Sequence, residues 1–275
     1  MIMSGYLNKL SYCIMKGLKQ ENHALSHTIR DLISTAQLHK ETFLPYKNYC
    51  NGERAIVVCG AGPSMNDYIP IEGAIHIAVN RAFINDKIDF DFIFSQDYSG
   101  IKMVEDKLVA YKPESCVKFL GTQNPKFANL DKCIPEQLII RCKAKKFDTD
   151  WYIQGASEEG IPVVDIDRKP ICNMQTVGIS VMQLALYMNP SKIYIVGCDM
   201  SGNYFAKGNQ TEEEVKKEAE QHEKIWATRR EKMLKHWRNV KEFAEIYYPD
   251  TEIITVNPIG LKGVFTDFYQ NEKYR

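Results

Sequence analysis

The chain has no charge excess: 35 Lys and Arg stand against 35 Asp and Glu over 275 residues. A polyanion-binding surface draws on a basic surplus, so nucleic acid is not an expected partner. The 8 cysteines form no Cys-x-x-Cys pair and no regular ladder. That excludes a disulfide scaffold and a zinc ribbon and fits reduced thiols. No apolar run approaches the roughly 18 residues of a membrane span. Lys9, Lys16 and Lys19 interrupt the stretch where a signal peptide would carry its apolar core. The expectation is a cytoplasmic protein, with the inner face of the membrane as an alternative residence. Internal repeats and low-complexity tracts are absent. The length suffices for one large α/β domain or two small ones, and 44% hydrophobic with 25% charged residues is ordinary globular composition.

What is present is organised around Ala55 to Met65. The β-branched run Ile56-Val57-Val58 reads as a buried strand. It stops at Gly60-Ala61-Gly62-Pro63-Ser64, where glycine permits positive φ or close backbone approach and Pro63 suits a first helical turn. Strand, glycine turn and helix start together make a phosphate-sized anion cradle. The full Gly-x-Gly-x-x-Gly pattern and the P-loop lysine are both missing, so neither a standard dinucleotide site nor a Walker A is expected. A tight structural turn is the bland alternative.

Around this stretch the pattern alternates. Residues 1 to 40 read as two helices, with Tyr6, Leu10, Ile14 and Leu18, then Leu25, Ile29, Leu32 and Ala36, at helical spacing. They form a helical extension (1–53) preceding a catalytic domain (54–275), and are the candidate surface for homo-oligomer formation or peripheral membrane contact. Strands are expected at Ala74–Asn80, Phe90–Ser95, Cys116–Leu120, Leu138–Cys142, Lys192–Val196 and, last, Glu252–Val256. Helices are expected at Ile101–Tyr111, Ile179–Met188 and Thr211–Tyr248, where Thr211 and Glu214 fit a capping box. Ala144 to Pro170 reads as a long excursion near a site. The expected fold is α/β: a Rossmann-like, mostly parallel sheet with helices on both faces.

Several strands end in polar groups: Asn80, Asp97 and Asp199. In open α/β sheets ligands bind beyond the carboxyl ends of the strands. Asp97 and Asp199 are suited to ribose hydroxyls, a metal or a partner side chain, and each alone reads as a helix cap. Asp165 and Asp167 alternate in the excursion and read as solvated. His222 and His236 lie in the long helical segment; each is a candidate base, with a packed or surface histidine as the commoner case. Tyr204 is placed to donate to a phosphate or leaving group. Lys143, Lys145, Lys146 and Arg168 are either an anion path or a solvated charged face.

Four stretches, Cys59 to Ser64, Val79 to Phe83, Thr176 to Gly178 with its helix, and Ile193 to Asp199, together resemble the bacterial sialyltransferases that decorate lipooligosaccharide. They also resemble the related group of motility accessory factors and archaeal 6-hydroxymethylpterin pyrophosphokinases. The sialyltransferase resemblance implies a GT-A-like variant of the Rossmann fold and a CMP-activated, sialic-acid-like donor. It also implies a glycan or protein hydroxyl as acceptor and no required metal. Gly60, Gly62, Pro63 and Ser64 would meet the donor phosphate, Asn80 the nucleotide, and Asp97, Thr176, Gly178 and Asp199 would line the donor site. Tyr204 would help the phosphate leave and His236 would act as base. The sequence departs from that family in reading Thr-Val-Gly for Thr-Ser-Gly and in lacking the arginine before it. His236 also sits about one helical turn closer to the last strand. The pyrophosphokinase resemblance implies instead an ATP-dependent phosphotransferase with magnesium, held by Asp97 and Asp199. A non-catalytic nucleotide-binding protein is the third alternative.

Overall fold

The computed structural model describes residues 33–122, 133–149, 160–172, 176–200 and 211–275, with 15, 16, 18, 19, 21, 22 and 26 before them; inside the last stretch the side chains at 222 and 225 are excepted. Most of the first expected helix and most of the start of the second lie outside these, as do Tyr204 and the side chain of His222; the described residues 15, 16, 18 and 19 are helical.

Eight strands form one sheet: β1 (Ile56–Cys59), β2 (Ile75–Val79), β3 (Phe92–Ser95), β4 (Val117–Thr122), β5 (Lys145–Asp148), β6 (Lys192–Val196), β7 (Glu252–Val256) and β8 (Thr266–Phe268). Their order is β5-β4-β3-β2-β1-β6-β7-β8, and the paired strands are all parallel. The chain steps outward from β1 to one edge, then returns to β1's other side and steps to the opposite edge. The switch point therefore lies between β1 and β6, where a ligand crevice is expected. Cys59 pairs in register with Val196, so the glycines that follow each strand, Gly60 and Gly197, meet.

Both faces of the sheet are covered, which is why the central strands read as continuous apolar runs. One face packs α1 (33–43), α4 (Val177–Tyr187) and α5 (Glu212–Tyr247) against Ile56, Val58, Ile77 and Phe94. The other packs α2 (Glu105–Ala110) and α3 (Glu136–Arg141) against Val57, Cys59, Ile93 and Leu120. Every residue of α4 is buried. Phe43, at the end of α1, is fully buried and stacks on Phe119 with ring centroids 5.6 Å apart. His39 holds the same helix to the sheet edge. Its Nε2 accepts from the Asp148 backbone N–H at 2.7 Å and its Nδ1 lies 2.8 Å from the Ile166 carbonyl. The Nδ1–H tautomer satisfies both contacts.

The structure corrects several expectations. Leu138 to Cys142 is not a strand; it belongs to α3, which begins after Pro135 and buries Leu138 and Ile139 while exposing Ile140. The three-residue apolar run is too short for its period to be read. The excursion instead contains β5, an edge strand whose buried apolar side chain is Phe147. β7 is followed by β8. The helix expected at Ile101–Tyr111 is a 3₁₀ turn, Lys102–Val104, leading into the six-residue α2. The helix start at Pro63 is a 3₁₀ turn of five residues, Pro63–Asp67. No helix among the described residues is long and apolar enough to cross a membrane.

Candidate active site

A cavity of about 300 Å³ opens at the carboxyl ends of β1, β2, β3 and β6. Its floor is the meeting of two backbone turns. The Gly60 N–H donates to the Val196 carbonyl and the Gly62 N–H to the Gly197 carbonyl, each at 2.7 Å. A Cβ on Gly60 would lie 2.3 Å from the Gly197 carbonyl oxygen, and one on Gly62 would lie 2.5 Å from Asp199 Oδ2. Glycine is required here because two main chains touch. Gly197 itself takes φ +69°.

Ser64 and Asp199 lock these turns together. The Ser64 N–H donates to Asp199 Oδ2 at 2.8 Å and its hydroxyl to Oδ1 at 2.7 Å, while the Gly197 N–H donates to Ser64 Oγ at 3.0 Å. Both side chains are buried. Burial pushes the Asp199 carboxyl above its usual range, and the two Ser64 hydrogen bonds oppose that rise. The donors of Gly60, Gly62 and Ser64 thus point at protein acceptors.

The opposite wall comes from α4. Thr176 caps it, its Oγ1 accepting from the Gly178 N–H at 3.3 Å. Thr176, Val177 and Gly178 line the cavity. The eleven-residue buried helix brings the positive end of its dipole there, a favourable place for an anion.

From β2 and β3 come Asn80, Arg81, Gln96 and Asp97. Asn80 holds φ +53°, a conformation asparagine tolerates better than most residues. Its Oδ1 accepts from the Ser95 hydroxyl at 2.8 Å. A Cβ on Gly100 would fall 2.4 Å from the Asn80 side chain, so that glycine makes room for the asparagine. Asp97 caps the next turn, accepting from the Gly100 N–H at 3.2 Å and from the Ser99 hydroxyl.

The roof belongs to α5, through Glu218, Trp226, Met233 and Trp237. His236 does not line the cavity. It is fully buried one residue round the helix, where a Cβ on Gly160 would stand 2.3 Å from its ring.

The structure therefore gathers Gly60, Gly62, Asn80, Asp97, Thr176, Gly178 and Asp199 around one cavity. Ser64 lies beneath its floor and Pro63 opens the turn behind it. Lys143 and Lys146 instead pair with Glu114 and Glu136, and Arg168 lies near Asp167; none of the three lines the cavity. Among the described residues no group of three or more His, Cys, Asp or Glu is placed to hold a metal ion. The sequence reading did not single out Arg81, Gln96, Glu218, Trp226, Met233 or Trp237 as site residues. The helical spacing of Trp226, Met233 and Trp237 marked one face of α5 as shared. Nothing local marked Glu218.

No protein-family model matches the chain, and no curated protein matches it. Among solved structures it is similar to the sialyltransferase CstII from Campylobacter jejuni in complex with the substrate analogue CMP-3FNeuAc. The identity is 12% and the TM-score 0.43, covering 78% of this chain and 86% of that one. A CST-II complex with a trisaccharide acceptor and CMP gives 11% identity and TM-score 0.41 over 74% of this chain and 80% of that one. The MAf glycosyltransferase from Magnetospirillum magneticum AMB-1 gives 13% identity and TM-score 0.46; 87% of this chain is covered but only 38% of that one.

Proposed function

We propose that the chain is a glycosyltransferase that takes a CMP-activated, sialic-acid-like sugar and transfers it to an acceptor hydroxyl of a glycan or protein. The observation that carries this reading is the cavity at the sheet's switch point, with the start of α4 on one wall and Asn80 and Asp97 on the other. The residue stretches that resemble the sialyltransferases supply its floor and residues on both walls. The phosphate seat of this reading is the start of α4 at Thr176 to Gly178, where the helix dipole favours an anion, because the N–H groups of Gly60, Gly62 and Ser64 are taken by Val196, Gly197 and Asp199. Asn80 and Asp97 meet the nucleoside, and Trp226 and Trp237 offer apolar walls to the sugar or base.

Catalysis in this reading is removal of the acceptor proton together with stabilisation of the departing phosphate. Tyr204 keeps its candidate role at the phosphate. His236 keeps its candidate role as base, and that role requires the turn at Gly160 to withdraw from the imidazole. Transfer at the wild-type rate by His236→Ala would remove it from the mechanism. No metal is required in this reading; magnesium belongs to the phosphotransferase alternative.

Thermal-shift measurements with CMP, CDP, UDP, ATP and their sugars, with and without magnesium, test the assignment through ligand-linked stabilisation. Stabilisation by CMP and CMP-sugar without metal is the expected result. Stabilisation by ATP only with magnesium would replace it with the phosphotransferase reading, and nucleotide binding without turnover would leave a binding protein.

A further inference from the structure

Among the described residues that line the cavity, Arg81 is the one cation. Its guanidinium forks onto Glu218 of α5, Nη2 to Oε1 at 2.9 Å and Nη1 to Oε2 at 3.4 Å. This is the geometry with which arginine grips a carboxylate or a phosphate. The cavity's other carboxylates are committed elsewhere, Asp199 to Ser64 and Asp97 to the turn it caps.

The two partners are unequal. The Arg81 side chain is 5% exposed, two residues past the end of β2, whereas that of Glu218 is 24% exposed. Arg81 cannot be rehydrated where it stands, and stripping it of an anion would leave a buried charge uncompensated. Glu218 is already partly in contact with water. It also sits on the more exposed part of its helix. From 212 to 232 no described side chain of α5 is buried, and burial starts at Met233. An incoming oxyanion that took the place of Glu218 would keep the arginine fully paired. The exchange would return to solvent a carboxylate that is already partly wet.

We infer that Arg81 is the clamp for an anionic group of the ligand and that Glu218 is the internal anion that holds its place, displaced when that group arrives. The inference rests on the reading of the cavity as an activated-sugar site and names what grips the donor's anion. That anion is either the phosphate of the nucleotide or the carboxylate of the sugar acid.

Calorimetric titration of the full chain, as wild type, Glu218→Gln, Arg81→Gln and the double variant, separates these sources. The probes are CMP (phosphate, no sugar carboxylate), N-acetylneuraminic acid (carboxylate alone) and inorganic pyrophosphate. Removing the competitor in Glu218→Gln is expected to tighten the matching anion about tenfold, and Arg81→Gln to weaken it by at least about tenfold. The double variant, which buries no unpaired charge, is expected to fold and to bind as weakly as Arg81→Gln. Tightening of CMP identifies the phosphate as the gripped group; tightening of the sugar acid alone identifies the carboxylate. Binding of every anion by Glu218→Gln no tighter than by wild type overturns the inference, whether or not CMP binds. If wild type ignores CMP and the sugar acid while pyrophosphate still tightens on Glu218→Gln, the clamp stands and the sugar-transfer reading falls.

Discussion

The turn at Gly60–Ser64 and the turn at Thr176–Gly178 put the same residue types, glycine beside a hydroxyl, at the same cavity. In the first, glycine is needed because the Gly197 backbone lies where a Cβ would go, and the Ser64 hydroxyl is held by Asp199. In the second, the hydroxyl caps a helix of eleven buried residues, and a Cβ on Gly178 would stand 3.1 Å from the Cys198 sulfur. The first turn closes the sheet where its strand order reverses. The second ends a helix dipole in open space. A glycine motif after a first strand is thus compatible with a purely architectural task, while the helix start that the proposed reading gives to the phosphate comes from a plainer sequence more than a hundred residues later.

Substitutions can break this contrast. The largest effect is expected for Gly60→Ala, whose methyl meets a main-chain carbonyl that no rotamer change can clear. A loss of about 3 kcal/mol or more in denaturant unfolding follows from overpacking against backbone. A wild-type midpoint would show that the two turns are not in contact. Ser64→Ala comes next, because it strips the Gly197 N–H and Asp199 of partners inside the protein. About 1–3 kcal/mol is expected from buried groups left unsatisfied, read from the same unfolding curves. Thr176→Ala removes a helix cap and should lower stability by about 1 kcal/mol. If the phosphate sits at α4, nucleotide affinity falls in Thr176→Ala by more than in Ser64→Ala at matched fraction folded, and the reverse order would return the phosphate to the first turn.

The two turns should also differ in their response to pH. The Asp199 carboxyl titrates above its ordinary 3.8 in the folded protein, so the folded state holds that proton to higher pH than the unfolded chain does. Stability from this group is fully present below 3.8 and is lost as pH rises through the folded value. Wild type should therefore lose stability relative to Asp199→Asn as pH rises above the ordinary carboxyl value of 3.8. No such difference should separate wild type from Thr176→Ala, whose turn carries no titratable group. The smallest effect is expected for Gly178→Ala. The contact with sulfur is tight but can yield by a few tenths of an ångström, and alanine recovers up to about 1 kcal/mol of helix propensity. Unfolding within about 0.5 kcal/mol of wild type is the expected outcome if the strain and the propensity gain offset each other, and a large loss would mean this turn is packed as rigidly as the other.

Much of the fold was legible because it is written locally. Ile56–Val58, Ile75–Val79 and Lys192–Val196 are short apolar or β-branched runs between turn residues, and Thr211 with Glu214 announces the start of α5 by a capping box that the structure contains. The misread elements are those whose local signal is weak. Leu138–Ile140 is three apolar residues, equally good in strand or helix, and Lys145–Asp148 is an edge strand with a single buried apolar side chain. The cavity's outline was legible too, since polar residues ending parallel strands converge wherever those strands pair. The role of each lining residue was not. His236 stands out chemically, yet it is Met233 and Trp237, three residues before it and one after it on a neighbouring stripe of the helix, that reach the cavity.

The sequence by itself determined a parallel α/β sheet, because its central strands are apolar on both sides and its helices and turns carry their own start signals. It also determined that polar groups would collect at one edge of that sheet. Only the tertiary structure decided which of those groups face the cavity and which face one another. Ser64 and Asp199 are 135 residues apart and Arg81 and Glu218 are 137 apart. Periodicity and capping act over a turn or two of chain. Pairings across such distances are set by strand order, which brings β6 beside β1, and by where a long helix crosses the strand ends.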